Sequence, residues 1–481
     1  MNQSGYGDNE WLAFDNEFTD EEKENYEIEV DEEGGGDGEE EEDSFAADFY
    51  SCGTDWSCLL PPATSGGDNH LDRKLKQANL LEMWGLKKPK HEPLLLSPPP
   101  LKKLKTGSAI NPRGSISKFF GKSTNIATTT TTTSNRNRPR NCPFYKKIPG
   151  TAFSVDAFRY GSIEGCSAYF LTHFHYDHYG GLTKGWSHGP IYCTPLTARL
   201  LKLCLSVNSS FIRYLELNTE YVIEGVTVTL LEANHCPGAA LIHFRLPTGV
   251  CYLHTGDFRA SEFMQSYSLL VNHRVNMLYL DTTYCNPKYK FPSKEDVLSF
   301  VVRVTKDFLK RQPKTLVVVG AYSIGKECVY IAISKALGVK IYANASRRRI
   351  LHSFGWSDLS SSLCTQAKDT PLHVVPISSL RFETLKDYLK TYINQYAAVL
   401  AFRPTGWTYS ESVGKQLDLI RPISKGNITI YGVPYSEHSS FTELKEFVEF
   451  LKPDKIVPTV NVGNPANREK MQSYFREWLN G

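Results

Sequence analysis

Three histidines and an aspartate stand within His173-Phe174-His175-Tyr176-Asp177-His178, directly after the apolar run Ala168-Tyr169-Phe170-Leu171. Such a run reads as a buried strand, so the polar cluster belongs on the turn where that strand ends. Neutral imidazole nitrogen and carboxylate oxygen are the ligands that borderline divalent metals such as zinc prefer. Four ligands this close in sequence cannot all reach one ion comfortably, because neighbouring side chains point different ways. Two adjacent ions fit better. The competing reading is a polar loop rich in histidine by chance, for which 13 His in 481 residues leave little room.

The chain is long enough for two or three domains and a sizeable core. Its net charge of +2 conceals an asymmetry. Residues 1–50 carry 20 Asp/Glu against one Lys, so the rest of the chain holds 53 basic and 32 acidic side chains. A basic body behind an acidic segment suits a protein that handles a polyanion, although a merely soluble basic domain would show the same balance. The 11 Cys are odd in number and form no Cys-x-x-Cys pair, which points to reduced thiols inside the cell. The acidic N-terminus is not a secretory signal, and no apolar run approaches the roughly 18 residues that span a bilayer. No membrane association is expected.

Residues 1–140 read as a disordered region, acidic and then basic, because its low-complexity runs bury too little apolar surface to offset ordering. Two islands stand out there. Lys87-Lys88-Pro89-Lys90 and Lys102-Lys103-Leu104-Lys105 form spaced basic clusters that suit nuclear import, with a solvated linker as the alternative. Ile116, Phe119 and Phe120 form a short plug that resembles the box by which repair proteins dock on the replication sliding clamp, with Arg113 where that box normally has Gln.

From about Cys142 the texture is that of a folded chain, with strand-like runs at 226–231, 240–246, 250–254, 277–280, 316–319, 397–402, 428–431 and 455–460. Helical patterns lie between several of them. One follows Pro195, and another follows the capping box Ser440-Phe441-Thr442-Glu443. Strands alternating with helices imply α/β layers. Three strand ends add further candidate ligands: His235 after 226–231, Asp257 after 250–254 and His438 after 428–431. Singly, each of these reads as a loop or cap residue. Together they repeat one pattern, a ligand at a strand end with a loop beyond.

The series His173-x-His175-x-Asp177-His178, His235 and Asp257 resembles the metal-binding signature of the metallo-β-lactamase superfamily. That resemblance implies an αββα sandwich with an inserted α/β domain and one or two divalent ions, zinc foremost, at the rim between the sheets. By the same resemblance His173, His175 and His235 would hold one ion, Asp177 and His178 the second, and Asp257 would bridge them. Tyr279 to Tyr284 resembles motif A of the β-CASP nucleases, with Asp281 as its acid. Pro434 to Ser440 resembles motif B, with His438 completing the second metal site. Asp454 to Val460 resembles motif C, in which Val460 matches the DNA-acting members. From Cys142 onward, about 70% of the chain, the sequence is similar to the DNA cross-link repair nucleases of the sensitive-to-nitrogen-mustard type, related to Artemis and Apollo. The implied division is a first sandwich part at 141–285, a β-CASP insert at 286–414 and a second sandwich part at 415–481.

Gly320 to Glu327 nearly spells a P-loop, but Glu327 replaces the magnesium-binding Ser/Thr, so nucleotide hydrolysis is not expected. Ser323 and Lys326 on that glycine-rich turn are instead expected to seat a substrate 5′-phosphate. Arg347-Arg348-Arg349 reads as a solvated face or a contact with a DNA backbone. The expected function is a nuclear, metal-dependent DNA phosphodiesterase, a 5′ exonuclease in cross-link repair, with Asp177, Asp257, Asp281 and His438 as its catalytic groups. The expected partners are DNA 5′ ends and the clamp, with the protein itself a monomer. An RNA-processing or structure-selective DNA endonuclease, a small-molecule hydrolase and a non-catalytic scaffold are the alternatives.

Overall fold

The structure is a computed structural model, and it describes residues 141–480. The acidic and basic N-terminal segments, with Ile116, Phe119 and Phe120, lie outside the described residues.

Two sheets form a sandwich. The first orders the strands Lys147–Ile148, Phe153–Val155, Ala168–Phe170, Ile191–Cys193 and Ile212–Tyr214; the second orders Lys455–Pro458, Met277–Leu280, Cys251–His254, Ala240–Arg245, Val226–Glu232 and Glu220–Ile223. Both faces of their central strands are covered, which is why these segments read as continuous apolar runs. Successive side chains still point to opposite faces. Ala168, Phe170, Val228, Leu230, Ile242, Phe244 and Tyr279 fill the layer between the sheets. Their neighbours Tyr169, Leu171, Leu231, Leu241, Leu278 and Leu280 face the outer core. At the middle of the inner layer Phe170 meets Phe244 edge-to-face at 5.1 Å.

After Met277–Leu280 the chain leaves the sandwich, and it returns as Lys455–Pro458, which pairs with that strand in parallel. Between them lies a third sheet of seven strands, ordered Leu363–Cys364, Ile341–Tyr342, Leu372–Pro376, Thr315–Ala321, Ala398–Pro404, Ile428–Val433 and Ile423–Lys425. Ile428–Val433, beyond the expected insert end at 414, pairs along its whole length with Ala398–Pro404. The apolar run 428–433 alone does not reveal which sheet it joins, because either sheet offers a buried parallel slot.

The helix Pro195–Leu205 begins with Pro at its first position, and Thr194 accepts from the Thr197 amide. The helix Phe441–Leu451 carries the full capping box between Ser440 and Glu443. Among the described residues no helix is long and apolar enough to cross a membrane.

Topology places the site. The parallel strands Cys251–His254, Met277–Leu280 and Lys455–Pro458 end at the same edge, and Ala240 N–H donates to the Thr172 carbonyl across the two sheets. The loops carrying His173, His235, Asp257 and Asp281 thus gather at one rim.

Candidate metal centre

His173 and His175 leave the end of Ala168–Phe170 on one side because Phe174 between them turns the other way, buried and stacked on Tyr179 at 4.4 Å. The helical turn Tyr176–Tyr179 then carries Asp177 and His178. Nε2 of His173 and Nε2 of His235 lie 3.0 and 3.1 Å from Nδ1 of His175. Each opposite ring nitrogen faces an oxygen. His235 Nδ1 lies 2.9 Å from the Glu437 carbonyl, His175 Nε2 3.4 Å from the Ile324 carbonyl and His173 Nδ1 3.0 Å from the Thr172 hydroxyl. A carbonyl only accepts, so the outer nitrogens of His235 and His175 carry the protons and their inner nitrogens present lone pairs. Lone pairs this close repel one another unless a cation lies among them. A tetrahedral zinc with nitrogens at about 2.0–2.1 Å needs donors only slightly further apart than these. The donor set fits a divalent ion. Burial, reinforced by mutual repulsion, holds His173 and His235 well below the ordinary imidazole range. Neutral rings are what metal binding requires.

A second group adjoins the first. His178 Nε2 lies 3.2 Å from Asp257 Oδ2 and 3.4 Å from Asp177 Oδ2. The same Asp257 oxygen is 3.7 Å from His173 Nε2 and 3.8 Å from His235 Nε2, so one carboxylate faces both groups. His438 joins His235 and Asp257 in a set whose donor atoms lie within 4.8 Å of one another. Burial opposes charge on His178, yet Asp257, Asp177 and Asp156 outweigh it and raise its pKa well above the ordinary value. These surroundings favour a cation. Asp257 reaches its place because Gly256, at φ +54°, lets the loop press on Thr172, where a Cβ would meet the Thr172 Cβ at 2.7 Å.

Asp281, expected among the catalytic groups, contacts His438. Its Oδ2 is 2.8 Å from His438 Nδ1, and its Oδ1 accepts from the Thr283 amide and hydroxyl at 2.9 and 2.6 Å. Burial would raise its pKa, but His438 and these donors hold it below the ordinary carboxylate value. Asp281 is a positioning residue for His438. Asp156 does the same for His178. Its Oδ2 lies 2.7 Å from His178 Nδ1, and its two oxygens accept from the Thr172 amide and hydroxyl at 2.9 and 2.8 Å. Sequence reasoning passed over Asp156; its signal was the recurring pattern of an acid at a strand end, here directly after Phe153–Val155. It also passed over Cys236, whose buried thiol lies within the same 4.8 Å set as His173, His175 and His235. Val460 is buried and its backbone is clamped by the Thr282 hydroxyl, which donates to its carbonyl at 2.6 Å.

Ser323 and Lys326, expected to seat a phosphate, lie on a turn whose polar groups bond within the chain. Lys326 pairs with Glu437 through Nζ, its amide donates to Glu437 Oε1 at 2.9 Å, and the Gly325 amide donates to Glu327 Oε1 at 2.9 Å. Carboxylates hold the amides and the charge that a phosphate would need, while Ser323 stays half-buried beside them. The turn instead braces Glu437, whose carbonyl anchors His235. Of the run Arg347-Arg348-Arg349, the last is exposed and the first two turn inward. Both are buried, with their guanidinium groups donating to the Ala321, Tyr322 and Ala343 carbonyls.

A family description, DNA repair metallo-beta-lactamase, matches residues 357–464. Over 456 residues the chain is 62% identical to the DNA cross-link repair protein SNM1 of Arabidopsis thaliana, covering 91% of each. The chain belongs to the DNA cross-link repair metallo-β-lactamases. Within that family it is 50% identical over 342 residues to the human DNA cross-link repair 1A protein, covering 71% of this chain and 33% of that one. It is 37% identical over 314 residues to the 5′ exonuclease Apollo of Gallus gallus, covering 65% and 63%. The chain therefore spans about a third of the human 1A protein and nearly all of the plant one.

Proposed function

We propose that the chain is a metal-dependent DNA nuclease that removes nucleotides from 5′ ends in the repair of cross-linked and damaged DNA, acting in the nucleus as a monomer. The observation that carries the chemistry is the meeting of His173, His175 and His235 through three inward nitrogens, with Asp257 turned toward both this group and His178. In this reading His173, His175 and His235 hold one ion, Asp177, His178 and His438 the other, and Asp257 lies between them. Zinc is the ion that a set rich in imidazole and poor in oxygen suits best. Bound ions there would neutralise charge on a phosphodiester and lower the pKa of a nearby water.

The protein supplies the rest. Asp177, with 44% of its side chain exposed, is the carboxylate of the set that faces solvent, and it is placed to orient an attacking water. His438 stands opposite with Asp281 behind it, so its inner nitrogen points into the site with a fixed ring orientation. The membership of a DNA repair family favours DNA over other esters.

Digestion of 5′-labelled single- and double-stranded DNA by the full chain tests the reading. The expected result is stepwise release of labelled nucleotides from the 5′ end, abolished by a chelator and restored by added zinc or manganese. Chelator-resistant cleavage, or faster cutting of RNA than of DNA, would contradict it.

A further inference from the structure

A chain of aromatic rings runs outward from the metal centre, and nothing in the chemistry above uses it. The buried Tyr284 ring stands edge-on to His438 at 5.8 Å and to Trp407 at 5.5 Å. Tyr289 and Phe291 pack on Tyr284 at 4.6 and 4.8 Å, and Tyr409 packs on Phe291 at 5.3 Å. These separations place the Trp407 ring within about 11 Å of His438. The outer end of the chain is open, with Trp407 38% exposed. Lys288 holds its amine 4.9 Å above the Tyr289 ring, and Lys288 and Lys290 are both exposed beside it.

The loop is built to hold this arrangement. Gly406 directly precedes Trp407, and a Cβ there would meet the Tyr284 hydroxyl at 2.5 Å and its ring carbons at 3.0 and 3.2 Å. Tyr284 therefore lies flush against the backbone that carries Trp407. An apolar core has no need to leave a tryptophan at its outer edge, with lysines exposed on the same aromatic cluster, whereas a surface that receives nucleotides does. Bases stack on aromatic faces with little regard to sequence, and nearby cations attract the phosphates between them.

Resting on the nuclease reading, we propose that Trp407, backed by Tyr284 and with Lys288 over the adjoining Tyr289 ring, is a stacking seat for an unpaired base of the strand being cut. A stacked strand rises about 3.4 Å per nucleotide, so the seated base lies no more than about three nucleotides from the scissile phosphate. The seat holds the strand while the next phosphate enters the metal centre. It also makes frayed or single-stranded ends better substrates than closed duplex.

Steady-state digestion of single-stranded DNA by the full chain, combined with a scan of single abasic positions, tests this. In the unaltered protein one abasic position within about three nucleotides of the scissile bond should raise KM about ten-fold, the range of a single base–aromatic stack. Trp407→Ala should raise KM by a similar factor on intact DNA, and the abasic penalty at that position should then vanish. Trp407→Phe should recover most of the loss, which a folding defect would not permit. Penalties that simply multiply, or a flat abasic scan in the unaltered protein, would overturn the seat while leaving the nuclease reading intact. No DNA cleavage by the unaltered protein would instead overturn the reading on which it rests.

Discussion

Asp281 touches His438 from behind, and this sets what its removal should do. Asp281→Asn keeps the shape and the bonds to Thr283 but removes the charge that fixes the His438 ring. The expected outcome is a loss of metal affinity or activity of about ten- to a hundred-fold, the usual scale for a group supporting a ligand. Metal titration followed by elemental analysis would read it. Asp156→Asn should act alike through His178, and wild-type affinity in both variants would remove their positioning role. Gly256→Ala belongs to the same scale. Its methyl group has to displace Thr172, the residue before His173, and the backbone there stays in the left-handed region. A loss of about 1–3 kcal/mol in denaturant stability is expected, with weakened metal binding.

Arg259, two residues after Asp257, ties three segments together. It donates to Glu443 Oε1 from Nε and Nη2 at 3.1 and 3.0 Å, to the Ser436 carbonyl at 3.0 Å and to the Pro292 carbonyl at 2.8 Å. Glu443 also closes the capping box as the third residue of the helix, accepting from the Ser440 amide with its other oxygen at 2.6 Å. One carboxylate thus starts the helix Phe441–Leu451 and holds the turn of His438 against the loop of Asp257. Glu443→Ala should cost about 3 kcal/mol, because it leaves a buried guanidinium without its counter-charge and removes the side-chain half of the capping box. Glu443→Gln keeps an acceptor and removes only the charge, so it should cost less than half of that in a urea titration; equal losses would show that the charge carries the whole effect and the hydrogen bonds none. At this scale the chain was largely readable. The strand expected at 277–280 is Met277–Leu280, and the capping box marked its helix start. The candidate ligands could be picked out in the sequence because each follows an apolar run, and these runs end at the same rim. Asp156 with His178, Asp281 with His438 and Lys326 with Glu437 were not, since they are 22, 157 and 111 residues apart and only the closed fold pairs them. The same reason hid the burial of Arg347 and Arg348, whose local sequence looks like surface.

For the whole molecule, two buried histidines away from the candidate metal centre, His243 and His254, add their own share to the pH dependence of stability. Burial lowers the pKa of His243 and of His254 to about 4. His254 accepts the Gly256 amide at Nδ1, 3.0 Å away, and His243 Nε2 is buried without a partner. An unfolded histidine titrates near 6.5, so between those values the unfolded chain binds more protons. Stability is then complete above about pH 6.5 and falls as the pH drops toward 4, by on the order of 3 kcal/mol for each ring. Urea midpoints of chelated protein from pH 7 to 4.5 should show this decline, and His243→Leu should make it shallower by one proton's share. An unchanged slope would mean that His243 does not carry it. The same closed fold that buries these rings brings two groups of candidate metal ligands to face one carboxylate. Asp257→Ala, assayed together for bound metal, DNA affinity and release of 5′-labelled nucleotides, tests that arrangement most directly. The expected result is loss of cleavage and of at least one ion per chain with DNA binding retained; cleavage near the wild-type rate with full metal content would contradict it.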